Sequence, residues 1–168
     1  MITEKRYIGI INIENKVIIS DLYYKSDKYD TEEMIDNMLP GSYECYAICS
    51  EEKDELIVTA IEIISTRTRI TPIDYGPEKF TVNINNEQIG IFNFSYYNTK
   101  IYNDIDWINI IYDITHGIEK FGLTDYFGFV SSSGYGNGMY TYYISKNEEG
   151  KVIAIYIEFI SDNDKELI

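Results

Sequence analysis

The segment Val152–Ile160, VIAIYIEFI, constrains the fold of this chain most strongly. In an extended backbone Ile153, Ile155, Ile157 and Phe159 share one face, and Val152, Ala154 and Tyr156 share the other. A strand that is apolar on both faces has to be covered on both, which places it in the interior of a sheet. Tyr140–Lys146 is a second strand, and Asn147-Glu148-Glu149-Gly150 between the two is a turn in which Gly150 would supply a positive φ. A Gly-rich loop, Ser131–Gly138, leads into this hairpin.

The rest of the chain reads in the same way. Tyr7–Ile13 and Val17–Asp21 are predicted to pair as a hairpin around Glu14-Asn15-Lys16, and Glu78–Ile84 is predicted to pair with Gln88–Ser95 around Asn85-Asn86-Glu87. Ser42–Cys49, Glu55–Ser65 and Phe127–Ser132 are further strands, and the apolar alternation of Glu55–Ser65 marks it as interior. Asp30 with Glu33 resembles a capping box and predicts a short helix over Thr31–Met38, stopped by Pro40-Gly41. The main helix is expected near Asp106–Ile118, where Trp107, Ile111, Ile114 and Ile118 form an apolar face. Asp104 or Asp106 would cap it, Gly122 would stop it, and Asn98–Asp104 reads as connector. Short turns between successive strands favour antiparallel pairing. The expected fold is therefore mainly β (α+β): one domain over residues 1–168, an antiparallel β-sandwich or strongly curved sheet of about nine strands with one packed helix.

Charge narrows the function. Fourteen basic against 28 acidic residues give −14. Each half of the chain carries −7, so there is neither a basic domain nor an acidic tail. The only arginines are Arg6, Arg67 and Arg69, too few for a duplex-binding surface, and such a field repels nucleic acid and anionic membranes while attracting a basic protein. The opening residues are broken by Asn12, Glu14 and Lys16 and lack the apolar core of a signal peptide, and no run is apolar enough to span a bilayer. Cys45 and Cys49 lie four apart on one strand, about 13 Å at the strand rise, too far for a disulfide. These readings point to the cytoplasm.

The C-terminal stretch SSGYGNGMYTYYISKNEEGKVIAIYIEF resembles the signature of the domain-of-unknown-function 4241 family. There a Ser-Gly-aromatic-Gly-Asp-Gly-x-Tyr loop precedes a strand, a Gly turn and a second strand. Phe80–Asn93 is similar to that family's middle segment, and Asp21-Leu22 to its early strand-then-Asp turn. Asn137, Asn93 and Glu158 stand where the family pattern has Asp. The resemblance implies a β-rich domain of bacterial or phage type and implies no reaction.

Candidate sites are few. In the loop Ser131–Tyr140, the residues Ser133, Asn137 and Tyr140 would offer polar contacts to a small ligand, and Gly134, Gly136 and Gly138 would admit it. The same glycines would equally serve tight turns. No Gly-Lys-Ser/Thr follows, and the Gly-x-Ser-x-Gly spacing of a nucleophile elbow is missing. His116 is the only histidine and sits where a helix C-terminus needs a capping partner. Two Cys on one strand and one His do not make a zinc set, and no calcium loop is present, so no metal or cofactor is expected. The expected function is a non-catalytic acidic binding module, of immunity or antitoxin type, that neutralises a basic protein. The alternative is a small-molecule-binding or hydrolytic domain built on the Gly-rich loop.

Overall fold

The computed structural model describes residues 2–22, 32–68, 72–84, 87–103 and 105–160. Eleven strands form two antiparallel sheets. Sheet A contains β1 (Glu4–Ile13), β4 (Gly41–Glu52), β5 (Glu55–Ser65), β6 (Phe80–Ile84), β10 (Gly138–Lys146) and β11 (Val152–Glu158), in the order β1-β4-β5-β11-β10-β6. Sheet B contains β2 (Val17–Ser20), β3 (Glu32–Ile35), β7 (Gln88–Asn93), β8 (Phe121–Thr124) and β9 (Gly128–Ser132), in the order β3-β2-β7-β9-β8. Two helices, α1 (Phe94–Asn103) and α2 (Ile105–Thr115), follow β7.

The alternation of side chains shows how the layers stack. Val17, Ile19, Ile89, Ile91 and Phe129 of sheet B join Ile11, Tyr43, Cys45, Ile61, Ile63, Ile155 and Ile157 of sheet A in one buried core. The intervening residues Ile18, Phe92 and Val130 point the other way and pack with Tyr97, Ile101, Trp107 and Ile111 of the helices. Sheet B is therefore a middle layer, with sheet A on one face and the helices on the other. This explains why every residue of β2 and β7 is buried. Gly90 and Gly128 lie under the Phe92 ring: a Cβ on Gly128 would fall 2.5 Å from Phe92 Cδ1, and one on Gly90 would overlap the ring itself.

The C-terminal hairpin forms as its sequence predicts, with β11 interior between β5 and β10. β5 is likewise interior, between β4 and β11. The two other predicted hairpins do not form. β1 pairs with β4, while β2 pairs with β3 and β7 in the opposite sheet. β6 pairs with β10, while β7 pairs with β2 and β9. The reason is burial: β2 and β7 are apolar on both faces and fit only the middle layer, so the chain crosses between sheets at both connections.

The helix expected over Thr31–Met38 is replaced by β3, which covers the edge of β2; Asp30 and Thr31 lie outside the described residues. The segment read as the end of a strand and a connector is α1, whose first N–H, of Phe94, donates to Lys16 O in the β1–β2 crossing. The main helix ends at Thr115 rather than Ile118, and Gly122, expected to stop it, belongs to β8. Asp106 sits in the first turn of α2, as its capping charge requires, and Asp104 is outside the described residues.

Candidate functional site

The Gly-rich loop connects β9 of the middle sheet to β10 of sheet A. Its polar groups hold its own shape. The Ser133 hydroxyl is buried and donates to Gly136 O at 2.9 Å, and the Gly136 N–H donates to Ser133 O at 3.1 Å. Tyr140 OH reaches Gly136 O at 2.7 Å and Ser133 O at 3.2 Å, and burial raises its phenol pKa. Asn137 Oδ1 accepts the Glu87 N–H at 2.8 Å, which ties the loop to the start of β7. Gly134 has φ +64°, and a Cβ there would come within 3.1 Å of Phe159 and 3.3 Å of Val58 O. Gly136 lines the space beside Glu87, and Gly138 begins β10. Ser133, Asn137 and Tyr140 thus act as internal braces, and the glycines permit the turn and its close approach to β5 and the end of β11.

Beside this braced loop lies a cavity of about 530 Å³ at one end of the sandwich. Ser132, Gly134, Tyr135 and Gly136 form one wall. The other walls come from Glu52, Lys53, Glu55 and Ile57 of the β4–β5 hairpin, from Thr115 and His116 at the end of α2, and from Glu87 and Lys120. Two contacts clasp the hairpin across it: Tyr135 OH donates to Glu52 Oε2 at 3.0 Å, and Lys120 Nζ meets Glu55 Oε1 at 2.5 Å. The Lys120 contact holds the Glu55 carboxyl below its usual range. His116 stacks on Tyr112 with ring centroids 3.9 Å apart, and its Nδ1 lies 3.0 Å from Tyr112 O and 3.1 Å from Thr115 Oγ1. A carbonyl only accepts, so Nδ1 carries the proton in the neutral ring and Nε2 is the acceptor. Thr115 Oγ1 also bonds Gln88 Oε1 at 2.6 Å. Behind that bond the fully buried Gln88 Nε2 has no hydrogen-bond partner among the described residues, a condition that costs about 1–3 kcal/mol.

A second surface, which the sequence reading did not single out, is the outer face of sheet A. The strand registers align Tyr7, Tyr46, Glu62, Tyr156 and Tyr143 as one row across five strands. The flanking rows bring Ile10, Glu44, Ile64, Ala154 and Ser145 on one side, and Lys5, Ile48, Ala60, Glu158 and Thr141 on the other. Tyr75 lies over the middle row, 5.9 Å from Tyr156 and 6.4 Å from Tyr143 between ring centroids, and donates its hydroxyl to Glu62 Oε2 at 2.6 Å. Burial first, and then Glu62, push the Tyr75 phenol well above its ordinary range. Tyr46 donates to Glu44, and this bond raises its phenol to about 12. Lys5 Nζ sits 4.5 Å over the Tyr46 ring and 2.7 Å from Glu62 Oε1. The signal for this face was present in the sequence, because the outward positions of β4, β10 and β11 hold tyrosines where a solvent face ordinarily holds short polar or charged side chains.

Cys45 and Cys49 are both buried, unpaired thiols. Burial pushes Cys45 far up and Cys49 to about 11, the opposite of an activated nucleophile. Among the described residues no cluster of three or more His, Cys, Asp or Glu side chains is placed to hold a metal ion, and no helix is long and apolar enough to cross a membrane. No family model, curated protein or solved structure matches the chain.

Proposed function

We propose that this protein is a non-catalytic acidic binding module that docks a basic protein on the outer face of sheet A. The observation that carries the reading is the position of Lys5. Its ammonium is held at once by the Glu62 carboxylate and the face of Tyr46. A lysine or arginine from a partner would find a carboxylate beside aromatic rings again further along the rows, at Glu44, next to the Tyr46 and Tyr7 pair on the same face. Three carboxylates against one ammonium in those rows, on a chain of net charge −14, favour such a partner over an acidic one. Rigid tyrosines supply contact area at small entropic cost.

A partner of this kind suits an immunity or antitoxin role, in which a compact acidic protein neutralises a basic one. Two buried free thiols fit a reducing compartment, and the family resemblance is proposed on the loop motif of the sequence. The test is titration of a lysine- and arginine-rich peptide against the protein at two salt concentrations. Binding at about 50 mM salt that weakens at least tenfold at several hundred mM, and weakens again in a Tyr7→Ala, Tyr46→Ala protein, supports the reading. Equal weak binding at both salts, or full binding by the double variant, contradicts it.

A further inference from the structure

We propose that the cavity at the end of the sandwich, between the β4–β5 hairpin, the end of α2 and the braced loop, binds a small zwitterion of the amino-acid class. This site is separate from the outer face of sheet A and does not depend on it. Its volume of about 530 Å³ lies within the range of small-molecule sites.

The chemistry of the wall selects the ligand. Charges of both signs line it: Glu52, Glu55 and Glu87 against Lys53 and Lys120. Glu55 and Lys120 neutralise each other, and Glu52 is oriented by Tyr135. Glu87 and Lys53 are left, and neither enters an ion pair with another described residue. A simple anion would meet the carboxylates, a simple cation would meet the ammonium groups, and an apolar molecule would strip water from Glu87, Lys53 and His116 Nε2 without replacing it. A molecule carrying both charges avoids all three penalties. Its ammonium group would donate to the Glu87 carboxylate and to His116 Nε2, and its carboxylate would face Lys53.

Two features show that the wall is set in advance. Lys53, Glu87 and Lys120 adopt positive φ values of 53°, 57° and 64°, which non-glycine residues seldom take. Lys53 takes this conformation together with Asp54 (φ 64°), as the two-residue turn of the β4–β5 hairpin requires, and Glu87 and Lys120 take it immediately before β7 and β8, so turn geometry directs all three side chains. His116 is fixed on one ring face by Tyr112 and at Nδ1 by Tyr112 O and Thr115, so its Nε2 has a defined direction and protonation in the neutral ring. Asn137 and Ser133 secure the backbone of Glu87, whose N–H and C=O are both bonded to the loop. The residues nominated in the sequence as ligand contacts therefore act as positioning residues for a carboxylate that the sequence did not nominate.

His116 is the only histidine, so its imidazole proton signals report the cavity without ambiguity. The experiment titrates the full chain with each common free amino acid at about 10 mM, ten times a millimolar dissociation constant, and with acetate and methylammonium at the same concentration. The expected result is a saturable shift of the His116 signals with one or a few amino acids, absent with acetate or methylammonium alone. Glu87→Gln and Lys53→Gln should each weaken that binding about tenfold while the Trp107 signals stay unchanged, and Thr115→Val should weaken it by releasing His116. The proposal is overturned if no amino acid moves the His116 signals, if acetate or methylammonium moves them equally, or if binding survives Glu87→Gln in a folded protein.

Discussion

Phe92 in sheet B and Tyr46 in sheet A both point away from the shared core, yet they meet different surroundings. Phe92 is fully buried, with the Tyr97 and Trp107 rings 5.4 and 5.3 Å away. Tyr46 is half-buried, lies beside Tyr7, and bonds Glu44. The outer face of sheet B is closed by two helices, whereas that of sheet A is crossed by Asp74 and Tyr75 and, among the described residues, carries no helix. A face that merely contacts water is well served by short polar and charged residues. One lined by a row of tyrosines and carboxylates holds a rigid, amphipathic surface in place, which suits recognition. The contrast underlies the proposed division, with stability on one outer face and partner binding on the other.

The largest effect that bears on this contrast is alkaline unfolding. Burial holds the phenols of Tyr43, Tyr97 and Tyr142 above their ordinary range, and the same is true of Tyr75; Tyr96 is raised to about 12 by burial and Tyr46 to about 12 by its bond to Glu44. A raised folded pKa contributes stability that is fully present below the unfolded tyrosine value near 10 and is lost as pH rises through the folded one. The fold should therefore fail between about pH 10 and pH 12, with the phenolate absorbance of these buried tyrosines appearing together with loss of circular dichroism. Ionisation of Tyr43, Tyr75, Tyr97 or Tyr142 near pH 10 in an intact fold would break the account.

Next is Phe92→Ala, which empties the interface between sheet B and the helices and should cost about 3–5 kcal/mol in denaturant unfolding. Gly128→Ala follows. It forces a methyl group against the Phe92 ring in a closed layer and should cost about 1–3 kcal/mol. The smallest expected stability change is on the other face. Tyr7 is 57% exposed, and Tyr7→Ala should stay within about 0.5 kcal/mol of the parent while weakening peptide binding. If Tyr7→Ala destabilised the fold as much as Phe92→Ala, the division of labour between the two faces would be wrong.

Much of sheet A was legible in the sequence. The β10–β11 hairpin announces itself through a Gly-ended turn between two alternating runs, and β5 and β11 are interior because their patterns leave no polar edge. The pairing of β1 with β2 and of β6 with β7 was misread, since short connections suggest hairpins and local turn chemistry does not say when a chain changes sheets. The information lay instead in the composition of β2 and β7, buried in every residue. The Glu33 that resembles part of a capping box accepts a hydrogen bond from Tyr142 at 3.1 Å within a strand, so tertiary pairing overrode a local helix signal. The loop residues Ser133, Asn137 and Tyr140, read in the sequence as contacts to a ligand, have the loop's own backbone and Glu87 as their partners. The cavity wall is assembled from elements far apart in sequence and no local pattern displays it, whereas the outer face of sheet A shows locally as tyrosines at the outward positions of β4, β10 and β11.

The central claim is tested most directly by following tyrosine and backbone signals by nuclear magnetic resonance while a lysine- and arginine-rich peptide is added at low salt. The account predicts shifts concentrated at Tyr7, Tyr46, Tyr143 and Tyr156, with Ile110 and Tyr112 on α2 unmoved. Shifts centred on α2, or spread evenly over every acidic surface, would contradict it.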